Sequence, residues 1–270
     1  LEAHDQREGY RGSIARIDMP AKIDDEALEE LLHDLEKVED LTPAVVIDIT
    51  QSTIEAYTKG VGLITLSDKG TQFGSSDLLV GSESVSPLEK GDLIYVRKNK
   101  IGFWLLSQLP AAEGAVVSID SDTGAIHALV GGYNFYRNKF NHVTQAKRQP
   151  GSSFKPFIYS AALERGFTPG TIIDDAPFEI DESQTGFQPW DPQNYGGEFA
   201  GPINLRYALA KSKNLVAIRI LQAITPNYAR SFLSRFGFNP KHHPPYLTMA
   251  LGAGSTTPLE MARGYAVFAN

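Results

Sequence analysis

The stretch Arg148-Gln149-Pro150-Gly151-Ser152-Ser153-Phe154-Lys155-Pro156-Phe157 reads as a loop that turns into a helix. Pro150 and Gly151 punctuate the loop. Phe157 to Glu164 continues as helix and stops before Gly166, a C-cap residue. Pro156 has no N–H and is tolerated only in a first turn, which puts the helix start near Ser152 or Ser153. Ser152 and Lys155 then stand one above the other on the same face. The corresponding neighbour of Ser153 is Pro156, which is no base. If one hydroxyl is activated here, it is that of Ser152.

A serine hydroxyl attacks a carbonyl carbon only when a neighbouring base takes its proton. A lysine serves as that base when burial or a nearby cation lowers its pKa. A helix N-terminus favours the negative charge that develops on the serine oxygen. The alternative is a capping serine beside a solvated lysine. A Ser-x-x-Lys arises roughly once by chance in a chain of this size, so its spacing does not decide between the two.

A second motif lies further along. Lys211-Ser212-Lys213-Asn214 falls between two expected helices, 203–210 and 215–223. Ser212 and Asn214 are two apart, so they share a face in an extended loop and not in a helix. The alternative is a plain helix linker in which Asn214 caps the second helix.

Around these motifs the chain of 270 residues is large enough for two domains. Hydrophobic residues make up 42% and charged residues 21%, which supports a substantial core. The net charge of -7 argues against a nucleic-acid partner held by phosphate neutralisation. With no cysteine there can be no disulfide and no thiolate metal site. No apolar run approaches the roughly 20 residues that cross a bilayer, and the N-terminus is no signal peptide. His4, His33, His127, His142, His242 and His243 form no helical pair with an acidic partner, so they read as surface or loop residues and not as metal ligands.

The expected fold class is α+β. Residues 1–23 are polar and extended, a linker or an edge strand, and Asp25 to Asp40 is a helix capped by Asp24. These make up a linker-and-helix segment, 1–42. Residues 43–110 carry five short runs rich in β-branched and aromatic residues, at 44–49, 52–58, 60–66, 93–97 and 101–106. That spacing suits a small OB-like barrel with a structural or partner-docking role. A second domain, 111–270, opens with a hairpin turned at Asp120-Ser121-Asp122-Thr123-Gly124. Its strands are almost continuously apolar, so both faces should be covered and the helix after Ser152 should pack on them. Thr257-Pro258-Leu259-Glu260 is a capping box that opens a last helix.

Ser152-x-x-Lys155 followed 60 residues later by Ser212-x-Asn214 is far more specific than either motif alone. The surrounding text is DSDTGAIHALVGG (120–132), QPGSSFKPF (149–157), WDPQNY (190–195), ALAKSKN (208–214) and PLEMARGYAVFAN (258–270). Together they resemble the transpeptidase domain of class A penicillin-binding proteins, an α/β domain, and the barrel segment resembles the OB-like insertion of the Gram-negative 1a type. The resemblance implies Ser152 as acylated nucleophile, Lys155 as general base, Ser212 as proton relay and Asn214 as the group that orients the substrate amide. Ser152, Ser212 and Asn214 would contact substrate, with no cofactor and no metal. It further implies peptidoglycan stem peptides and β-lactams as ligands, and regulatory lipoproteins as partners of the OB-like part. The implied site of action is the periplasmic face of the inner membrane.

The family's third motif, Lys-Thr-Gly, is absent from these residues. It is expected beyond Asn270, with a glycosyltransferase domain and membrane anchor before Leu1, so the chain is expected to be a fragment and a poor enzyme by itself. Two further readings stand beside the transpeptidase: a serine β-lactamase or D,D-carboxypeptidase, and a non-catalytic scaffold that docks partners.

Overall fold

A computed structural model describes residues 1–20, 22–74, 76–77, 79, 86–177, 183 and 190–270. The turn-rich stretch 171–204 therefore lies partly outside the described residues. The chain divides into two compact units, Leu1–Gly114 with Gly132–Lys139, and Ala115–Gly131 with Phe140–Asn270.

The first unit is built on an antiparallel six-stranded sheet. Its strands are β1 (Ala15–Arg16), β2 (Thr42–Ile49), β3 (Thr53–Thr58), β4 (Gly62–Ser67), β7 (Asp92–Lys98) and β8 (Trp104–Ser107). A small hairpin of β5 (Gln72–Phe73) and β6 (Ser76–Asp77) stands apart. The order is β1-β7-β2-β3-β4, with β8 also on β7. The near-continuous apolar runs are explained by period-two alternation with both faces covered. Ala44, Val46, Ile54, Ala56, Ile94 and Val96 join one core. The intervening Val45, Tyr57 and Leu93 join another, beneath Leu28 and Leu32 of the α2 region.

Two expectations need correcting here. Residues 1–23 are not all extended: α1 (Glu2–Glu8) is a helix, and only β1 forms the edge strand. The helix expected over 25–40 is α2 (Asp25–Leu31), with Asp24 accepting from Ala27 N as foreseen. It ends early because Leu32 and Leu35 reach the sheet through turns, satisfying the apolar spacing without a continuous helix.

The second unit holds two hairpins, β9 (Val116–Ile119) with β10 (Ile126–Val130) and β11 (Ile172–Asp175) with β12 (Gly201–Asn204). Its helices are α3 (Lys155–Glu164), α4 (Leu205–Ala210), α5 (Asn214–Ile224), α6 (Pro226–Phe232) and α7 (Pro258–Ala269). Helix α5 is apolar nearly all round and buries Leu215, Val216, Ala217, Ile218, Ile220, Leu221 and Ile224, so it lies at the core. Helix α3 packs on α5 and on the 3₁₀ turn Leu247–Leu251.

The hairpin expectation fails in one respect. Val116, Ile126, Leu129 and Val130 are exposed, and it is α7, not α3, that lies against β9. The buried aromatic cluster of Phe154, Phe157, Phe236 and Phe238 directs α3 toward the helices instead. Deleting one such ring costs about 3–5 kcal/mol.

Candidate active site

Three pieces of chain meet around the Lys155 ammonium group. The first is the 3₁₀ turn Gly151–Phe154 that leads into α3, with Pro156 in the opening turn as its chemistry requires. Gly151 is left-handed at φ 58°. The turn is held from both sides: Arg148 and Thr256 exchange backbone hydrogen bonds of 3.0 Å, and Tyr265 Oη of α7 donates to Ser153 O at 2.6 Å. The capping box at Thr257 and Glu260 that starts α7 forms as expected.

The second piece is the link between α4 and α5. Ser212 N bonds Leu209 O and Lys213 N bonds Ala208 O, both at 2.9 Å, which is a Schellman closure of α4. Its left-handed position, ordinarily a glycine's, is occupied by Ser212 at φ 52°. The local turn therefore holds a strained serine where a glycine would be easier, a pattern associated with functional sites. Asn214 is not the cap that the linker reading requires. The N-cap of α5 is Lys213, and the Asn214 side chain points away to other partners.

Lys155 is only 1% exposed. Its Nζ donates to Ser212 O at 2.6 Å, Ser212 Oγ at 3.0 Å and Asn214 Oδ1 at 2.6 Å. Asn214 Nδ2 donates to Gln193 O at 2.7 Å, which settles which end of the amide faces the lysine. Burial pushes the Lys155 pKa down to about 8. Roughly a tenth of the group is then neutral at pH 7, against well under a thousandth at the ordinary lysine value.

The neutral amine has two N–H donors and one lone pair. Ser212 O and Asn214 Oδ1 can only accept, so they keep the two donors. Ser212 Oγ is the one partner able to reverse and donate, so the lone pair faces a hydroxyl. Ser152 and Ser212 are both exposed while Lys155 is buried. The arrangement thus offers solvent the Ser212 hydroxyl backed by a base, with the exposed Ser152 in the turn just before that base.

The structure brings Lys155, Ser212 and Asn214 together and places Ser152 in the turn immediately before Lys155. Sequence reasoning missed the polar layer behind them, Asp175 and Asn194. Both are buried, and Asn194 Oδ1 accepts from Asn214 N at 2.9 Å. Asn194 lies in the text WDPQNY and Asp175 in Asp174-Asp175-Ala176-Pro177, both of which read as turn formers. His243, taken as a surface or loop residue, is instead buried and stacks on Phe154 at 4.8 Å.

The family model described as the penicillin binding protein transpeptidase domain matches residues 114–270. That described as the penicillin-binding protein OB-like domain matches residues 10–112. Penicillin-binding protein 1A of Neisseria lactamica is 43% identical over 272 residues, which cover 100% of this chain and 34% of the relative. Penicillin-binding protein 1A of Vibrio cholerae is 40% identical over 286 residues, with the same coverage. The crystal structure of penicillin-binding protein 1A from Haemophilus influenzae matches with a TM-score of 0.84 at 38% identity, over 100% of this chain and 39% of that one. The chain spans 34% of the length of these curated relatives. The mixed fold with an OB-like first part is as the sequence led us to expect.

Proposed function

The chain belongs to the penicillin-binding protein transpeptidase family, and on that premise we propose that its second unit carries the serine site of a D,D-transpeptidase that crosslinks peptidoglycan stem peptides and is acylated by β-lactams. The observation that carries the reading is the buried Lys155, held by Ser212 and Asn214.

Family resemblance and that geometry together support the following steps. Ser212 passes its proton to neutral Lys155 and receives the proton of Ser152, whose oxygen bonds to the carbonyl carbon of the penultimate D-alanine. The backbone N–H of Ser152 lies in a first helical turn, where such groups have no partner along the helix, and it stabilises the oxyanion. Asn214 aligns the peptide amide. The C–N bond to the terminal D-alanine breaks, and the departing amine takes the proton from Lys155. An amine of a second stem peptide then loses a proton to the same base and attacks the acyl carbon. The crosslink forms and Ser152 regains its hydrogen. A β-lactam ring presents the same amide, opens on Ser152 and leaves slowly.

Family membership also favours action at the periplasmic face of the inner membrane, in a membrane-anchored protein. The OB-like unit exposes Ile101 and Phe103 beside a cavity of about 440 Å³, an apolar spot suited to a regulatory lipoprotein.

Incubating the full-length protein with a fluorescent penicillin tests the reading. A lasting adduct whose mass maps to Ser152, and which Ser152→Ala abolishes, is expected. Rapid release of hydrolysed drug would instead make the protein a β-lactamase, and absence of any adduct would make it a scaffold.

A further inference from the structure

Behind the Ser212–Asn214 link lies a buried polar layer that touches neither Lys155 nor the solvent side of the site. Asp175, at the end of β11, is 0% exposed and Asn194 is 6% exposed. Asp175 Oδ1 accepts from Asn194 Nδ2 at 2.7 Å. Its Oδ2 accepts from Ala200 N at 3.0 Å and pairs with Lys213 Nζ at 2.8 Å. Asn194 Oδ1 accepts from Asn214 N at 2.9 Å, and its Nδ2 also reaches Glu198 O at 3.0 Å.

Lys213 is the residue between the two that face Lys155. It turns one way, to Asp175, while Ser212 and Asn214 turn the other way. Burial pushes the Asp175 carboxyl up, but the bonds from Lys213, Asn194 and the Ala200 N–H outweigh it and hold the pKa below the ordinary value. A charge buried this fully is costly to leave unpaired, so the ion pair fixes Lys213 firmly. Fixing Lys213 fixes its two neighbours. Asn194 adds a second tether, on the backbone of Asn214 itself.

We propose that Asp175 and Asn194 are positioning residues: they set the Ser212–Asn214 link so that it closes over Lys155 and keeps water from its amine. The proposal rests on the acyl-transfer reading for its kinetic consequence only; its structural consequence at Lys155 stands alone. Burial is the sole cause of the lowered Lys155 pKa, with no charged group contributing. A link that drifts away hydrates Nζ and returns it toward 10.5, the ordinary lysine value.

The test uses the full-length protein with Asp175→Asn, which keeps the shape and loses the ion pair, and Asn194→Asp, which sets two carboxylates side by side. Two readouts are taken on variants with intact thermal transitions: the penicillin acylation rate against pH, and labelling of Lys155 by acetic anhydride relative to the exposed lysines. Each single variant should slow acylation about 10- to 100-fold, move its inflection upward and raise Lys155 labelling. If Asp175→Asn does not fold, Asn194→Ala, which keeps the ion pair, decides by the same readouts. Folded variants with wild-type inflection and labelling would overturn the proposal, even if they melt earlier. Raised labelling in a protein whose Ser152 is never acylated would leave the positioning role standing and remove the acyl-transfer reading.

Discussion

Gly252 lies against the backbone of Gly151, the residue before the candidate nucleophile. A Cβ on Gly252 would come within 2.6 Å of Gly151 N and nearer still to its carbonyl oxygen. The neighbouring atoms are backbone, so no side chain can swing aside. Gly252 is also left-handed, at φ 75°.

Gly252→Ala should therefore displace the Ser152 turn. We expect a loss of about 1–3 kcal/mol in urea unfolding and a fall in acylation of about 10-fold or more. Gly237→Ala is the control. Its φ is 83° with open space around it, so it should cost about 1–2 kcal/mol and leave the acylation rate unchanged.

Ser212 sits where a Schellman closure prefers glycine. Ser212→Gly relieves a left-handed strain of about 1–2 kcal/mol, less the loss of a hydrogen bond from Lys155. The variant should melt at or above the wild-type temperature while acylating far more slowly. Opposite movement of thermal midpoint and rate is the signature; a parallel fall in both would show the hydroxyl to be structural.

His243 gives the second unit an acid limit. It is 3% exposed and its Nδ1 has no partner, and burial pushes its pKa down to about 4. The unfolded chain protonates this ring near the ordinary 6.5, whereas the folded chain resists until about 4. Stability is thus fully present above 6.5 and is lost as pH falls from there toward 4. Thermal midpoints measured across that window should decline, and His243→Met should flatten this part of the decline.

How far the sequence could be read follows the range of each interaction. Ser152 and Lys155 were legible because Pro156 fixes a helical turn within a few residues. The Ser212–Asn214 link was legible because apolar spacing marked helices on both sides. Asp175 and Asn194 were not, because their bond spans 19 residues and both side chains are ordinary turn formers. Helix α1 lacks an apolar stripe, so its polar text read as linker. The burial of His243 depends on rings from distant segments, Phe154 and Phe238, and on Gly254, where a Cβ would overlap the imidazole. No local pattern carries that information. The β9 and β10 strands show the reverse error: apolar text was taken for burial, yet much of it is exposed among the described residues.

The central claim is that a lysine whose pKa burial lowers to about 8 accepts the proton of Ser152 through Ser212. Its most direct test is the rate of Ser152 acylation by a penicillin from pH 6 to pH 11, in the wild type and in Lys155→Ala. The account predicts a rate that climbs and levels off with its inflection at about 8, and a loss of about 10²- to 10⁴-fold with no such inflection in the variant. A wild-type rate that is flat across the range, or that climbs only near 10.5, the ordinary lysine value, would contradict it.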